Sequence, residues 1–136
     1  MPIVGFNFDK ISVEKKSSLS KEDKIQNNVN VRDIKESKLK IDKNEVKSLK
    51  IEFDFSVDYS KAGNLQLLGN LIYLENEPKI SELLNMWDKD KKMQTEFGAQ
   101  IYNFIINRCS IKALQLEEDV GLPLHIILPK VKPKNK

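Results

Sequence analysis

Between residues 49 and 59 the chain alternates with a period of two: Leu49, Ile51, Phe53, Phe55, Val57 and Tyr59 are apolar, and Lys50, Glu52, Asp54, Ser56 and Asp58 separate them. Successive side chains of a strand point to opposite faces, so this pattern predicts an antiparallel strand with one face on a core and one in water. Val4, Phe6 and Phe8 predict a similar strand near the N-terminus. There the parity slips at Asp9-Lys10, and Ile11 and Val13 carry the alternation onward, which predicts a bulge or a turn. Residues 15 to 24 hold a single apolar residue and read as a solvated loop. Val29 and Val31 resume a weak alternation, and Leu39 and Ile41 form another fragment, so residues 26–41 read as either one strand or two.

Lys61-Ala62-Gly63-Asn64 predicts a short turn in which Gly63 or Asn64 takes positive φ. The strand that follows, 65–75, is apolar on both faces. Leu65, Leu67, Leu71 and Tyr73 point one way, and Leu68, Ile72 and Leu74 point the other. Such a strand needs cover on both sides, from a second layer or from another subunit. Gly69 in its middle predicts a bulge or a close approach of backbone.

After Tyr73 the period changes to 3.6. Pro78 suits a first helical turn, and Ile80, Leu83, Leu84 and Trp87 form one apolar face before the charged run Asp88 to Lys92. A second helix is predicted from Met93 to Thr95 onward, with Thr95 as its cap. Phe97, Ile101, Phe104, Ile105 and Cys109 form its stripe, which Tyr102 and Ile106 widen. Helical character continues to Val120, Gly121 ends it, and the proline-bounded stretch 122–129 is expected to lie extended against the body. The fold class expected is therefore α+β: an antiparallel sheet of about four strands followed by two helices packed on one face. Residues 1–129 form the expected single domain and 130–136 a lysine-rich tail.

Composition adjusts this picture in two places. The net charge of +3 is concentrated at the C-terminus, because removing Lys130, Lys132, Lys134 and Lys136 leaves 23 − 4 = 19 basic against 20 acidic residues. Only Arg32 and Arg108 are arginines, the side chain that reads phosphate and guanine bidentately, so a dedicated nucleic-acid sequence reader is not expected. The four tail lysines are expected to make, at most, weak and salt-dependent contact with RNA or another anion. No apolar run approaches the roughly 20 residues of a membrane-spanning helix, and the N-terminus lacks the basic start of a signal peptide. Cys109 is the sole cysteine, which excludes an intrachain disulfide and fits a reducing, cytosolic compartment.

Candidate chemistry is sparse. His125 is the only histidine, and the serines Ser17, Ser18 and Ser20 lie in a lysine-rich loop. There is no nucleophile elbow, no phosphate-cradling glycine loop and no paired-cysteine motif. His125 is expected to be structural, Cys109 a small buried hydrophobe, and Glu117-Glu118-Asp119 a solvated helix end. Neither catalysis nor a cofactor or metal is expected. The aromatics read as core, with a sharper alternative in which Phe53, Phe55, Leu68, Ile72, Leu74 and Trp87 line an apolar groove or a subunit interface.

The order of elements resembles that of SecB-type export chaperones and their archaeal relatives. The resemblance covers residues 25 to 129 and is carried by the strand–turn–strand Leu49–Glu75, the short helix bearing Trp87, the long helix 93–109, and Gly121-Leu122-Pro123-Leu124 through Pro129. It implies a four-stranded antiparallel sheet with helices on one face, and subunits that assemble into dimers or tetramers. It further implies a chaperone or scaffold that holds an extended polypeptide or protein partner. The alternative expectation is a ribosome- or RNA-associated accessory protein that uses the basic tail.

Overall fold

The structure is a computed structural model that describes residues 3–129 and 131. Four strands come first: β1 (Ile3–Lys15), β2 (Gln26–Ile41), β3 (Asn44–Asp58) and β4 (Gly63–Leu74). Two helices follow, α1 (Glu77–Asp90) and α2 (Thr95–Val120). The strands form one antiparallel sheet in the order β1-β4-β3-β2. β2, β3 and β4 are successive neighbours, whereas β1 sits on the far side of β4, so the loop 16–25 carries the chain from one edge of the sheet to the other.

The register explains the pattern of apolar positions. Leu49, Ile51, Phe53, Phe55 and Val57 of β3 lie opposite Tyr73, Leu71, Gly69, Leu67 and Leu65 of β4, and both sets face the helices. In β1 the slip is a bulge at Asp9: Phe8 pairs with Gly69 and Lys10 with Leu68, so Val13 returns to the face that carries Phe6 and Phe8. A second bulge at Arg32 does the same in β2, where Val29, Val31 and Ile34 share a face. Residues 26–41 are therefore one bulged strand of 16 residues.

Glycine is required where backbones meet. A Cβ on Gly69 would overlap the Asn7 carbonyl oxygen and stand 2.6 Å from Phe53 Cζ. Gly69 is thus a close approach and not a bulge. The β3–β4 connection is a 3-10 turn at Ser60–Ala62, with Ser60 at φ 59° and Gly63 at φ 153° against the Glu14 carbonyl.

Asn76 caps α1, its side chain accepting from the Lys79 N–H at 3.0 Å. At α2 the residue before the helix is Gln94, which makes no side-chain cap, and Thr95 is already the first helical residue. The expected Thr95 cap is thereby corrected by one position. Gly121 ends α2 at φ 76°, with the Leu122 N–H on the Glu117 carbonyl (2.9 Å) and the Gly121 N–H on that of Glu118 (3.4 Å). That is the glycine-terminated double bond of a Schellman end. The last turn of α2 has no basic residue of its own, but the Lys15 ammonium of β1 lies beside Gly121, where the helix dipole is negative.

Both helices pack on one face, α1 through Ser81 near Lys47 of β3 and α2 through Phe97 on Tyr73 and Phe104 on Phe6. Leu68, Ile72 and Leu74 point to the opposite face, where no helix of the described residues lies over them. The two-sided β4 thus has one covered and one open face.

Gly69→Ala should destabilise the protein by about 1–3 kcal/mol, because the added methyl meets backbone and the Phe53 ring together. Urea denaturation checks this, and an unchanged midpoint would mean that the sheet relaxes around residue 69.

Candidate functional site

The structure does not gather the six candidate groove residues. Phe53 and Phe55 are 0% exposed and Trp87 is 6% exposed, all on the helix side of the sheet within the core. The Trp87 indole N–H donates to Asp33 Oδ1 at 3.1 Å, which holds the Asp33 carboxyl below its ordinary range. The Lys91 ammonium lies 5.5 Å from the Trp87 ring centre. Leu68, Ile72 and Leu74 are half-buried on the open face, so the thickness of the sheet separates the two sets. Leu74 is continued there by Val46 and Leu39, opposite one another in the β2–β3 hairpin. Lys130, Lys132, Lys134 and Lys136 lie outside the described residues.

A different apolar cleft lies between β1 and α2. Its floor is aromatic: Phe6 stacks on Phe53 with ring centres 5.1 Å apart, and Phe8 meets Phe6 edge-on at 5.2 Å. Phe104 closes the inner end at 5.7 Å from Phe6. The Arg108 guanidinium lies over both Phe104 (5.2 Å) and Phe6 (5.9 Å), an arrangement that pins a cation by the ring quadrupoles. Two hollows of about 200 and 280 Å³ flank Arg108, and both touch Phe6. Ile111, 60% exposed, forms the outer wall of the first with Lys112 and Gln115. Ile111 was the available sequence signal, an isoleucine off the buried stripe of α2. What periodicity does not give is that β1 takes the edge of the sheet.

A second constellation was also missed. The Tyr59 hydroxyl donates to Glu117 Oε2. Glu117 Oε1 lies 2.9 Å from His125 Nδ1, and His125 Nε2 lies 3.3 Å from Ser110 Oγ. Glu117 is therefore no solvated helix end: its side chain and that of His125 are both 0% exposed. Serine, histidine and carboxylate in this sequence of contacts is the order of a nucleophilic relay. Here, however, Ser110 sits in the middle of α2, whose amides are consumed by helical hydrogen bonds, so the helix around it offers an oxyanion no free backbone donors. The group works as a clasp that fastens the segment after α2, with the His125 ring 5.7 Å edge-on to Phe55.

Other clefts are shallower in chemistry. One of about 440 Å³ lies between Lys15, Ser17 and the end of α2, and one of about 420 Å³ lies beside Trp87, Met93 and Tyr102. Among the described residues no cluster of three His, Cys, Asp or Glu side chains could hold a metal ion. No helix among them is long and apolar enough to cross a membrane.

No protein-family model matches the chain, and no curated protein matches it in sequence. Among solved structures, it is similar in layout to the SecB-like chaperone Rv1957 of Mycobacterium tuberculosis, determined in complex with a ChAD peptide from the HigA1 antitoxin Rv1956. The TM-score is 0.49 and the identity 9%, over 97% of this chain and 91% of that one.

Two outcomes test the interior. His125→Ala leaves Glu117 Oε1 buried without its partner and should cost about 1–3 kcal/mol. Amide exchange should then accelerate in residues 122–128 before the rest of the chain, and uniform exchange would refute the clasp. Burial pushes the Cys109 thiol up to about 12. At pH 8 the native protein should therefore resist iodoacetamide and react only on unfolding, since the thiolate is the nucleophile.

Proposed function

We propose that the protein is a non-catalytic polypeptide-binding module, a chaperone or scaffold that holds an extended segment of a partner along β1. The observation that carries this reading is the outer edge of β1, which pairs with no further strand among the described residues, beside the aromatic floor of Phe6 and Phe8. Exposed strand edges present free N–H and C=O groups, and proteins ordinarily blunt them. β1 is blunted by bulges at Val4 and Asp9, but Gly5-Phe6-Asn7-Phe8 between them pairs regularly with β4. This short window suits strand addition, in which backbone hydrogen bonds hold the guest and alternate side chains enter the groove. So few backbone bonds give little affinity alone, and the apolar groove supplies the remainder.

In the same reading the open-face strip of Leu68, Ile72 and Leu74 receives a second copy of the chain, making the protein a homo-oligomer. The half-buried state of these three side chains, with no helix above them, supports that assignment.

Binding of a labelled β-forming peptide, followed by fluorescence anisotropy, should weaken about tenfold in Ile111→Asn, the equivalent of losing most of one buried isoleucine contact. Ile111 is exposed, so the fold should survive the change. Equal affinity of wild type and variant would remove the groove from the reading. Light scattering should show a dimer or larger species in wild type and a smaller one in Ile72→Lys. A wild-type monomer would remove the second copy.

A further inference from the structure

A few surface lysines sit beside carboxylates. Lys35 lies 3.5 Å from Glu52, Lys38 3.9 Å from Glu45, and Lys47 3.7 Å from Glu36. Most cations, Arg108 and Lys112 included, have no carboxylate within ion-pair distance among the described residues, and what sets Arg108 apart is its place between two aromatic rings. No acidic residue lines either hollow beside Arg108. The guanidinium is nevertheless held in place, stacked over Phe104 and Phe6, so its donors are oriented without being consumed by an ion pair. A fixed, unpaired guanidinium at the rim of an apolar groove is complementary to a carboxylate brought in by the occupant.

The two walls also set a direction. Moving along β1 from Ile3 to Phe8, the facing residues on α2 advance from Phe104 through Arg108 to Ile111 and Gln115, so the walls run the same way. A guest strand added antiparallel to β1 enters beside Phe8 and Ile111 and leaves past Arg108. Its side chains alternate, so residues entering the groove are two apart.

We infer that the groove between β1 and α2 selects acidic partners: an extended segment whose apolar side chain packs between Phe8 and Ile111 and whose Asp or Glu, two residues later, pairs with Arg108. This rests on the polypeptide-binding reading and specifies the partner's chemistry. Lys112 adds positive potential on the same rim and speeds encounter with acidic segments.

The test uses the full chain and three capped, fluorescein-labelled peptides of alternating Thr and Ile that differ at one groove-facing position: Glu, Gln or Lys. By anisotropy at about 50 mM salt the Glu peptide should bind about tenfold more tightly than the Lys peptide, with Gln between, and about 0.5 M salt should compress the difference. Arg108→Glu should reverse the order, and Arg108→Gln should level it. Both substitutions are at an exposed site and should leave the circular dichroism unchanged. Equal affinity for all three peptides would overturn acidic selection while leaving polypeptide binding standing. Binding of none would overturn both. If Arg108→Glu instead dissociates an oligomer seen in wild type by light scattering, the groove belongs to a second copy and the inference fails.

Discussion

The contact between Phe53 and Gly69 governs the rest of the structure. β4 carries no side chain at the point where β3 presents Phe53, and the Phe53 ring occupies the space a Cβ would fill. With the ring laid over β4 towards β1, Phe6 can stack on it nearly parallel, at 19°, and Phe8 can meet it edge-on. The aromatic cluster then spans three strands, and α2 closes it with Phe104. Core and groove are consequently one object seen from two sides. The floor that a partner would touch is held by the same stack that ties the edge strand to the centre of the sheet. Aromatic pairs of this geometry contribute about 0.5–1.5 kcal/mol each beyond their buried area.

Elements with local causes were legible in sequence. The period-two run of β3, the turn into β4, the Pro78 start of α1 and the Gly121 end of α2 all depend on residues near one another in the chain. The parity slip at Asp9-Lys10 was legible as well, because a bulge is what restores one apolar face after a slip. The four-stranded antiparallel sheet with two helices on one face agrees with the expected class. What alternation could not supply was strand order. Phe53 and Leu68 look like neighbours on a list of apolar residues, yet they point to opposite faces of the sheet. Only the register separates a core side chain from a surface one.

The clasp shows the same limit from the polar side. Glu117-Glu118-Asp119 reads as wet because three consecutive acids at a helix end usually are. Their helical phases differ, however. Glu117 continues the buried stripe Ile101, Ile105, Cys109 and Ala113 at steps of four, while Glu118 and Asp119 turn outward. A carboxylate on a buried stripe demands donors, and these come from residues outside the helix: Tyr59 just after β3 and His125 after α2. Three segments that share no periodicity are joined by one side chain. This also explains why an apolar, proline-bounded stretch with exposed Ile127 is fastened at Leu122 and His125.

Edge and groove together bear on the choice among surfaces. The open face has apolar side chains but interleaves them with Lys50, Glu52 and Asp54, and its backbone is already committed to neighbouring strands. It can receive a flat surface, such as another sheet, but offers an incoming strand no backbone partner. The β1 edge offers backbone groups and, beside them, a trough that alternate side chains can enter. Its bulges at Val4 and Asp9 limit regular pairing to the intervening window, which resists indefinite edge-to-edge growth while leaving room for a single guest. For a guest bound there, affinity would depend on the few side chains that reach the trough. In the proposed reading, the stacked Arg108 at its rim is therefore the side chain that would bear on partner choice.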